Sequence, residues 1–281
     1  MTKEELIEVF KDTQKLYGVG NTHVALRNCV ANTFVLDGVN DENMEHWQTT
    51  HDEPAEIRVT NRDTLTAAQE YDDLLLRNKE DGFVAVLNFA SATNPGGGVT
   101  KGSTAQEECI CRCTTLYPAL NQQKCWDKYY NVNRKANNNL GSDTIIYTQD
   151  ALVLKDKDYN KLETPFCVDV ITCAAPNLRE KPHNNYNDGA NPKQLVLTDE
   201  ELYDIHVKRA KHIFDVANAY GVEYLVLGAF GCGAFKNNPE VVAKAYKDVI
   251  PEYVHNFRVI DFAVIDGKYT NNYETFKKVL L

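Results

Sequence analysis

The chain has 281 residues, 43% of them hydrophobic and 25% charged, with 30 Lys+Arg against 40 Asp+Glu and a formal net charge of −10. These proportions exclude wholesale disorder and fibrous repeats, and no apolar run approaches the roughly 20 residues that a membrane-spanning helix needs. An acidic chain without a basic run is also a poor general binder of nucleic-acid backbones, although a phosphorylated small molecule can be held by backbone N–H groups instead of basic side chains.

The first residues, Met1-Thr2-Lys3-Glu4-Glu5, are charged and helical in character, without the apolar core of a signal peptide. They predict a soluble, cytoplasmic protein. Residues 1–55 read as a helical extension packed on the core, with Asn40–Glu56 a surface connection, and 56–281 as the main domain. A short strand is expected at Ile57–Thr60, then a helix over Thr64–Arg77. Phe83–Leu87 is a continuous apolar run, the mark of a strand covered on both faces. Gly96-Gly97-Gly98 interrupts regular structure. A helix is then expected over Ala105–Leu116, stopped by Pro118. Further strands fall at Thr144–Tyr147, Ala151–Leu154 and Val168–Cys173. Thr198 and Glu201 form a capping-box pattern opening a helix whose apolar residues run from Leu202 to Tyr220, with Gly221 as the stop. Tyr224–Leu227 is another buried strand, Asn238 and Pro239 open the next helix, and Phe257–Ile265 is the last strand. The alternation gives an α/β layered fold with a central mixed sheet between helices.

Two glycine-rich segments follow buried strands directly: Asn88-Phe89-Ala90-Ser91-Ala92-Thr93-Asn94-Pro95-Gly96-Gly97-Gly98, and Gly228-Ala229-Phe230-Gly231-Cys232-Gly233-Ala234-Phe235. Loops at the carboxyl ends of sheet strands are where open α/β folds bind ligands. Glycines there let backbone approach a phosphate closely. Neither segment is a P-loop or a dinucleotide fingerprint, so a diphosphate held between the two loops is the better reading. Eight residues beyond the triple glycine comes Gln106-Glu107-Glu108 at a helix start. Adjacent helix positions project about 100° apart, so the two carboxylates are expected to do different jobs. The eight cysteines include Cys109, Cys111 and Cys113; without a second Cys pair or a nearby His they read as core thiols rather than a metal site. No metal and no cofactor is expected.

The run Asn88–Glu108, with GGG, seven residues and QEE, resembles the signature of poly(ADP-ribose) glycohydrolases of the compact microbial type built on a macrodomain. Val59–Thr64, Ile171–Asn177 and Leu227–Pro239 extend the resemblance over most of the chain. It implies a three-layer α/β/α macrodomain that binds ADP-ribose in a cleft. Gly96, Gly97 and Gly98 would line one side of the diphosphate and Gly231, Cys232, Gly233 and Ala234 the other, with Phe235 against the ribose near the cleaved bond. Glu108 matches the family's catalytic acid and Glu107 the acid that binds ribose hydroxyls. Asn94 would touch the same ribose, and Gln106 joins the substrate-binding set as the first residue of its motif. No residue matches the adenine pocket. Lys101 and the Cys109–Cys113 run depart from the usual loop content without removing a required group. The implied reaction cuts the ribose–ribose O-glycosidic bond of poly(ADP-ribose) or acts on ADP-ribosylated macromolecules, with ADP-ribose as product. A mono-ADP-ribosyl hydrolase and a non-catalytic ADP-ribose-binding module stay open as alternatives, the paired acids speaking against the second.

Overall fold

The computed structural model describes residues 1–37, 50–182, 193–267 and 270–281. Its strands are β1 (Thr33–Leu36), β2 (Glu56–Thr60), β3 (Phe83–Phe89), β4 (Ile145–Lys155), β5 (Lys161–Cys173), β6 (Val222–Leu227) and β7 (Val259–Ala263). They form one seven-stranded sheet in the order β1-β4-β5-β3-β6-β7-β2. β4 is antiparallel to both its neighbours, and the pairs from β5 through to β2 are all parallel. The helices are α1 (Lys3–Leu16), α2 (Thr22–Ala31), α3 (Thr64–Asn78), α4 (Gln106–Cys113), α5 (Leu116–Leu120), α6 (Gln123–Cys125), α7 (Asn131–Ala136), α8 (Asp199–Ala219), α9 (Pro239–Tyr253) and α10 (Asn272–Leu280), with a π-helical turn at Trp126–Tyr130 joining α6 to α7.

The strand pleat sorts the core into two layers. On β3, Ala85 and Leu87 pack with α8 and α9 residues such as Ile213, Phe214 and Val242. Val84 and Val86 face the other way, toward Ala68 and Tyr71 of α3 and Ile110 of α4. Successive side chains of a strand point to opposite faces, so an unbroken apolar run means a helix layer on each side. The result is the three-layer α/β/α macrodomain.

Local expectations differ from the structure in four places. The helix expected to reach Leu116 ends at Cys113, because Thr114 is extended (φ −132°, ψ 176°) and bridges to Val153. Pro118 then sits in the first turn of the short α5 rather than stopping a helix, where its missing N–H costs nothing. The two strands expected at 144–147 and 151–154 are one strand, β4, interrupted by a bulge between Thr148 and Ala151 with Asp150 in the left-handed region. Residues 1–55 are not purely helical, since β1 is the edge strand paired to β4. The first part of the Asn40–Glu56 connection, 40–49, lies outside the described residues. No described helix is long and apolar enough to cross a membrane.

The connectivity places the site. The chain leaves β3 toward β4 and β5 on one side, and leaves β6 toward β7 on the other. The two glycine loops therefore diverge from adjacent parallel strands, which opens a crevice at their carboxyl ends. Arg209 of α8, 1% exposed, holds one rim of it. Its Nη1 donates to Ala174 O at 2.7 Å, Nη2 to Leu140 O at 2.9 Å and Gly141 O at 3.2 Å, and Nε to Asp143 Oδ1 at 3.1 Å. Arg209→Leu would leave three carbonyl acceptors without that donor, and each unsatisfied buried polar group costs about 1–3 kcal/mol. We expect a fall of about 2–4 kcal/mol in unfolding free energy, read as a lower urea midpoint with unchanged slope.

Candidate active site

α4 starts beside the end of β3 because Gln106 is stitched into that strand. Its Oε1 accepts from Phe89 N at 2.8 Å, and its Nε2 donates to Leu87 O at 2.7 Å and Thr64 Oγ1 at 3.1 Å. Gln106 lines the cleft, but its amide serves the scaffold. With that anchor the next two residues, Glu107 and Glu108, are delivered to the cleft floor at 2% and 7% exposure.

Each acid is gripped by a backbone N–H of the loop after β3. Glu107 Oε2 accepts from Ser91 N at 2.7 Å, and Glu108 Oε1 from Gly98 N at 2.7 Å. Gly96 N also bonds Glu107, and Gly97 N donates to Asn94 O at 3.1 Å. The three glycine N–H groups are thus engaged inside the protein. Gly96 N and Gly98 N meet the acids and Gly97 N meets its own loop, in a segment that the resemblance implies lies along the diphosphate. Gly96 is buried away from the cleft, while Gly97 and Gly98 line it. Gly97 has φ +57°, and a Cβ there would come within 2.4 Å of Glu108 Oε1 and 2.9 Å of Glu107 Oε2. Both carboxylates therefore close on a spot that only glycine leaves free.

The two acids are not equivalent. Burial raises the pKa of Glu107 well above the usual carboxylate range, and the Glu108 charge raises it further. The N–H groups of Ser91 and Gly96 and the Asn88 amide pull the other way. Glu108 has one oxygen on Gly98 N, and its other oxygen, Oε2, has no hydrogen-bond partner among the described residues.

The loop after β6 is built differently. Cys232 N donates to Ala229 O and Asn237 N to Gly231 O, both at 3.1 Å. Among the described residues the N–H groups of Gly231, Gly233, Ala234 and Phe235 donate to nothing. They form a concavity of donors suited to anionic oxygens. Open space surrounds the position a Cβ would take at Gly233. Gly231, Gly233, Ala234 and Phe235 line the cleft; Cys232 does not, since its side chain is turned inward at 6% exposure. Phe235 lies under the Arg179 guanidinium at 5.6 Å.

Asn237 holds this loop, a residue the sequence reading missed. Its Nδ2 donates to Pro176 O at 2.7 Å, tying the loops after β5 and β6 together, while Oδ1 meets His206 Nε2 at 2.8 Å. Burial pushes the His206 pKa down to about 4, so the ring is neutral. Because Asn237 Oδ1 only accepts, the ring proton sits on Nε2. Asn88 was missed as well, though a lone polar residue inside the run Val84–Phe89 was a visible signal. It is fully buried, and its amide reaches Thr172 Oγ1 at 3.2 Å and Glu107 Oε1 at 3.5 Å.

Together these loops border a cleft of about 1220 Å³, beyond the roughly 300–1,000 Å³ of most small-ligand sites. It runs from Arg62 and Asp63 after β2 and Val264 after β7, past the acids, to the 137–141 loop and Arg179. Asn94 lines it, with Oδ1 accepting from Arg134 Nη2 at 2.6 Å. The thiols of the cysteine run diverge. Cys111 lies against Gly96 in the core, whereas Cys109 contacts Tyr159 OH at 3.5 Å and Cys113 contacts Asp156 O at 3.3 Å.

Comparison with known proteins bears on this arrangement. The family described as "Microbial-type PARG, catalytic domain" matches residues 7–156. The poly(ADP-ribose) glycohydrolase of Thermomonospora curvata superposes with a TM-score of 0.80 at 26% identity, covering 98% of this chain and 99% of that one. Its complex with the inhibitor ADP-HPD gives 0.78 at 25% identity over the same shares. The Deinococcus radiodurans poly(ADP-ribose) glycohydrolase in complex with ADP-ribose gives 0.74 at 30% identity, covering 91% of this chain and 96% of that one. No curated protein sequence matches.

Two outcomes follow from the acid pair. Gly97→Ala should keep the fold yet lower turnover at least ~10-fold, since near-contact shifts of about 1 Å can cost two orders of magnitude; circular dichroism with steady-state kinetics checks both. The raised pKa of Glu107 means that folding takes up a proton between its ordinary and its native value, so its contribution to stability falls as pH rises. Relative to Glu107→Gln, wild-type unfolding free energy should therefore decline as pH rises above about 4, starting near the ordinary carboxylate pKa. Urea titrations of both proteins across that range measure it.

Proposed function

The chain belongs to the microbial-type poly(ADP-ribose) glycohydrolase family, and from that membership we propose how its own residues perform the reaction. The reaction is hydrolysis of poly(ADP-ribose) to ADP-ribose. One observation carries the residue assignment: two buried acids clamped by loop N–H groups stand across the cleft from a second loop whose N–H groups are open.

In this reading the ligand diphosphate lies on the donors of Gly231, Gly233, Ala234 and Phe235, with the Phe235 ring against the ribose. The scissile ribose C1–O bond then sits over the acids. Glu108, oriented through Oε1 by Gly98 N, donates the proton on Oε2 to the departing ribose oxygen. Positive charge develops at the ribose ring as the bond breaks, and the nearby diphosphate stabilises it. The Glu108 carboxylate then takes a proton from water as it attacks, and Glu108 is protonated again. Glu107, held by Ser91 N and Gly96 N, receives ribose hydroxyls and keeps the sugar in register. Asn94 assists at the same ring.

All eight cysteines are unpaired, the state favoured in a reducing compartment. This supports a cytoplasmic setting.

Glu108→Gln keeps the side-chain shape and removes the transferable proton. ADP-ribose affinity should stay within about twofold while turnover on polymer falls by at least ~10², the usual scale of general acid catalysis. Calorimetry with ADP-ribose and chromatography of the released product read the two quantities separately. Because the carboxylate, the diphosphate and water carry every step of this scheme, wild-type turnover should also survive exhaustive EDTA treatment. Near-wild-type turnover in the Gln variant would overturn the assignment of Glu108.

A further inference from the structure

The loop that carries Asn94 is braced from outside the acid pair. Thr93 N and Asn94 N donate to Ser91 Oγ at 3.3 and 3.2 Å, closing a tight turn whose first residue is the Ser91 that grips Glu107. On the far side Arg134 of α7 takes hold of the same turn. Its Nε donates to Thr93 O at 2.8 Å and its Nη2 to Asn94 Oδ1 at 2.6 Å.

Arg134 is itself seated on an aromatic platform. Its guanidinium carbon lies 4.6 Å from the Trp126 ring centroid, and the indole is pinned by Nε1 donating to Asn121 Oδ1 at 2.9 Å. In an unbroken α-helix, residues eight apart point about 80° away from each other. The π turn at Trp126–Tyr130 under-rotates the backbone, which brings Trp126 and Arg134 back toward one face. The long arginine side chain, leaning toward the helix N-terminus, then covers the ring. An ordinary α-helix over the same residues would not align them.

The bonds to Arg134 fix the chemistry that Asn94 can offer. With Oδ1 held by a charged donor, the amide cannot flip, and Nδ2 is the group left to meet a ligand. Its present contact, to Thr93 Oγ1 at 3.3 Å, is long and readily exchanged. We propose that Arg134 is a positioning residue, clamped on Trp126, that locks Asn94 as a hydrogen-bond donor toward an acceptor oxygen of the ribose at the cleaved bond. The inference rests on the reading of the cleft as the substrate site and adds to it a residue outside the signature motif, together with the polarity with which the ribose is recognised.

The test uses the full chain and ADP-ribose as the probe, with polymer hydrolysis alongside. Asn94→Ala and Arg134→Met should each raise the ADP-ribose Kd about 3- to 10-fold, the effect of losing one well-placed neutral hydrogen bond. The double variant should bind no worse than Asn94→Ala alone, because Arg134 acts through Asn94. On polymer the change should appear mainly in KM rather than in kcat. Asn94→Asp should bind more weakly than Asn94→Ala, since it loses the donor and adds negative charge beside a diphosphate. Trp126→Leu should move Kd in the same direction as Arg134→Met, with melting temperatures recorded for every variant. Additive losses in the double variant overturn the proposal. So does Arg134→Met with unchanged Kd, or Asn94→Asp with wild-type affinity. A wild-type protein that fails to bind ADP-ribose overturns the reading of the cleft itself, whereas a binding wild type with an indifferent Arg134→Met overturns only this inference.

Discussion

The cleft end of the molecule depends on two carboxylates being kept almost free of solvent, side by side, without a basic side chain among the described residues to neutralise them. Burying a charge is costly unless it is paired or hydrogen-bonded. Here the compensation comes from the backbone: Ser91 N and Gly96 N on Glu107, Gly98 N on Glu108. Only a chain reversing tightly around the acids can aim so many N–H groups inward. That geometry requires Gly97 in a left-handed conformation with no Cβ, because the acids occupy the space a side chain would fill. The compensation is also unequal. Glu107 keeps an elevated proton affinity, and Glu108 retains one unpartnered oxygen. The pair is asymmetric, which is what the proposed division into a holding and a reacting acid needs.

That demand divides the labour between the two glycine loops. The loop after β3 directs its donors at the protein's own acids, whereas the loop after β6 leaves its donors open to the cleft. The second loop must keep its shape without a ligand, and buried polar bracing supplies this. Asn237 and neutral His206 fix it from beneath, and Arg209 fixes the neighbouring end of β5. A buried hydrogen-bonded network of this kind is rigid, which suits a site that has to present donors before an anion arrives.

Most glycosidases set two carboxylates on opposite sides of the scissile bond, about 5 Å or more apart. Glu107 and Glu108 instead converge on one glycine, so the two cannot flank a sugar ring. The placement favours one acid that also serves as base, with the second face of the sugar met by the substrate's own diphosphate. Under the proposed mechanism catalysis would draw on the ligand for part of its electrostatic stabilisation, and the loop after β6 would contribute to rate as well as to affinity.

Much of this was legible in the chain itself. The apolar run Phe83–Leu87 could only be a strand covered on both faces. The Thr198–Glu201 capping box and the Asn238-Pro239 start appear as the caps of α8 and α9, because such signals are local and need no tertiary partner. The GGG and QEE motifs and the Gly228–Phe235 loop likewise marked the cleft. Tertiary structure decided the rest. Which group each glycine N–H meets is a matter of packing across the sheet, and here Gly96 N and Gly98 N meet the acids. Thr114 took an extended conformation set by the bridge to Val153. Arg134, Asn237 and Arg209 reach the site from positions 26 to 129 residues beyond Glu108, a separation that no local pattern spans. Sequence motifs record what a segment can do alone. The charge state of a buried acid and the orientation of an amide depend on groups that only the folded chain brings together.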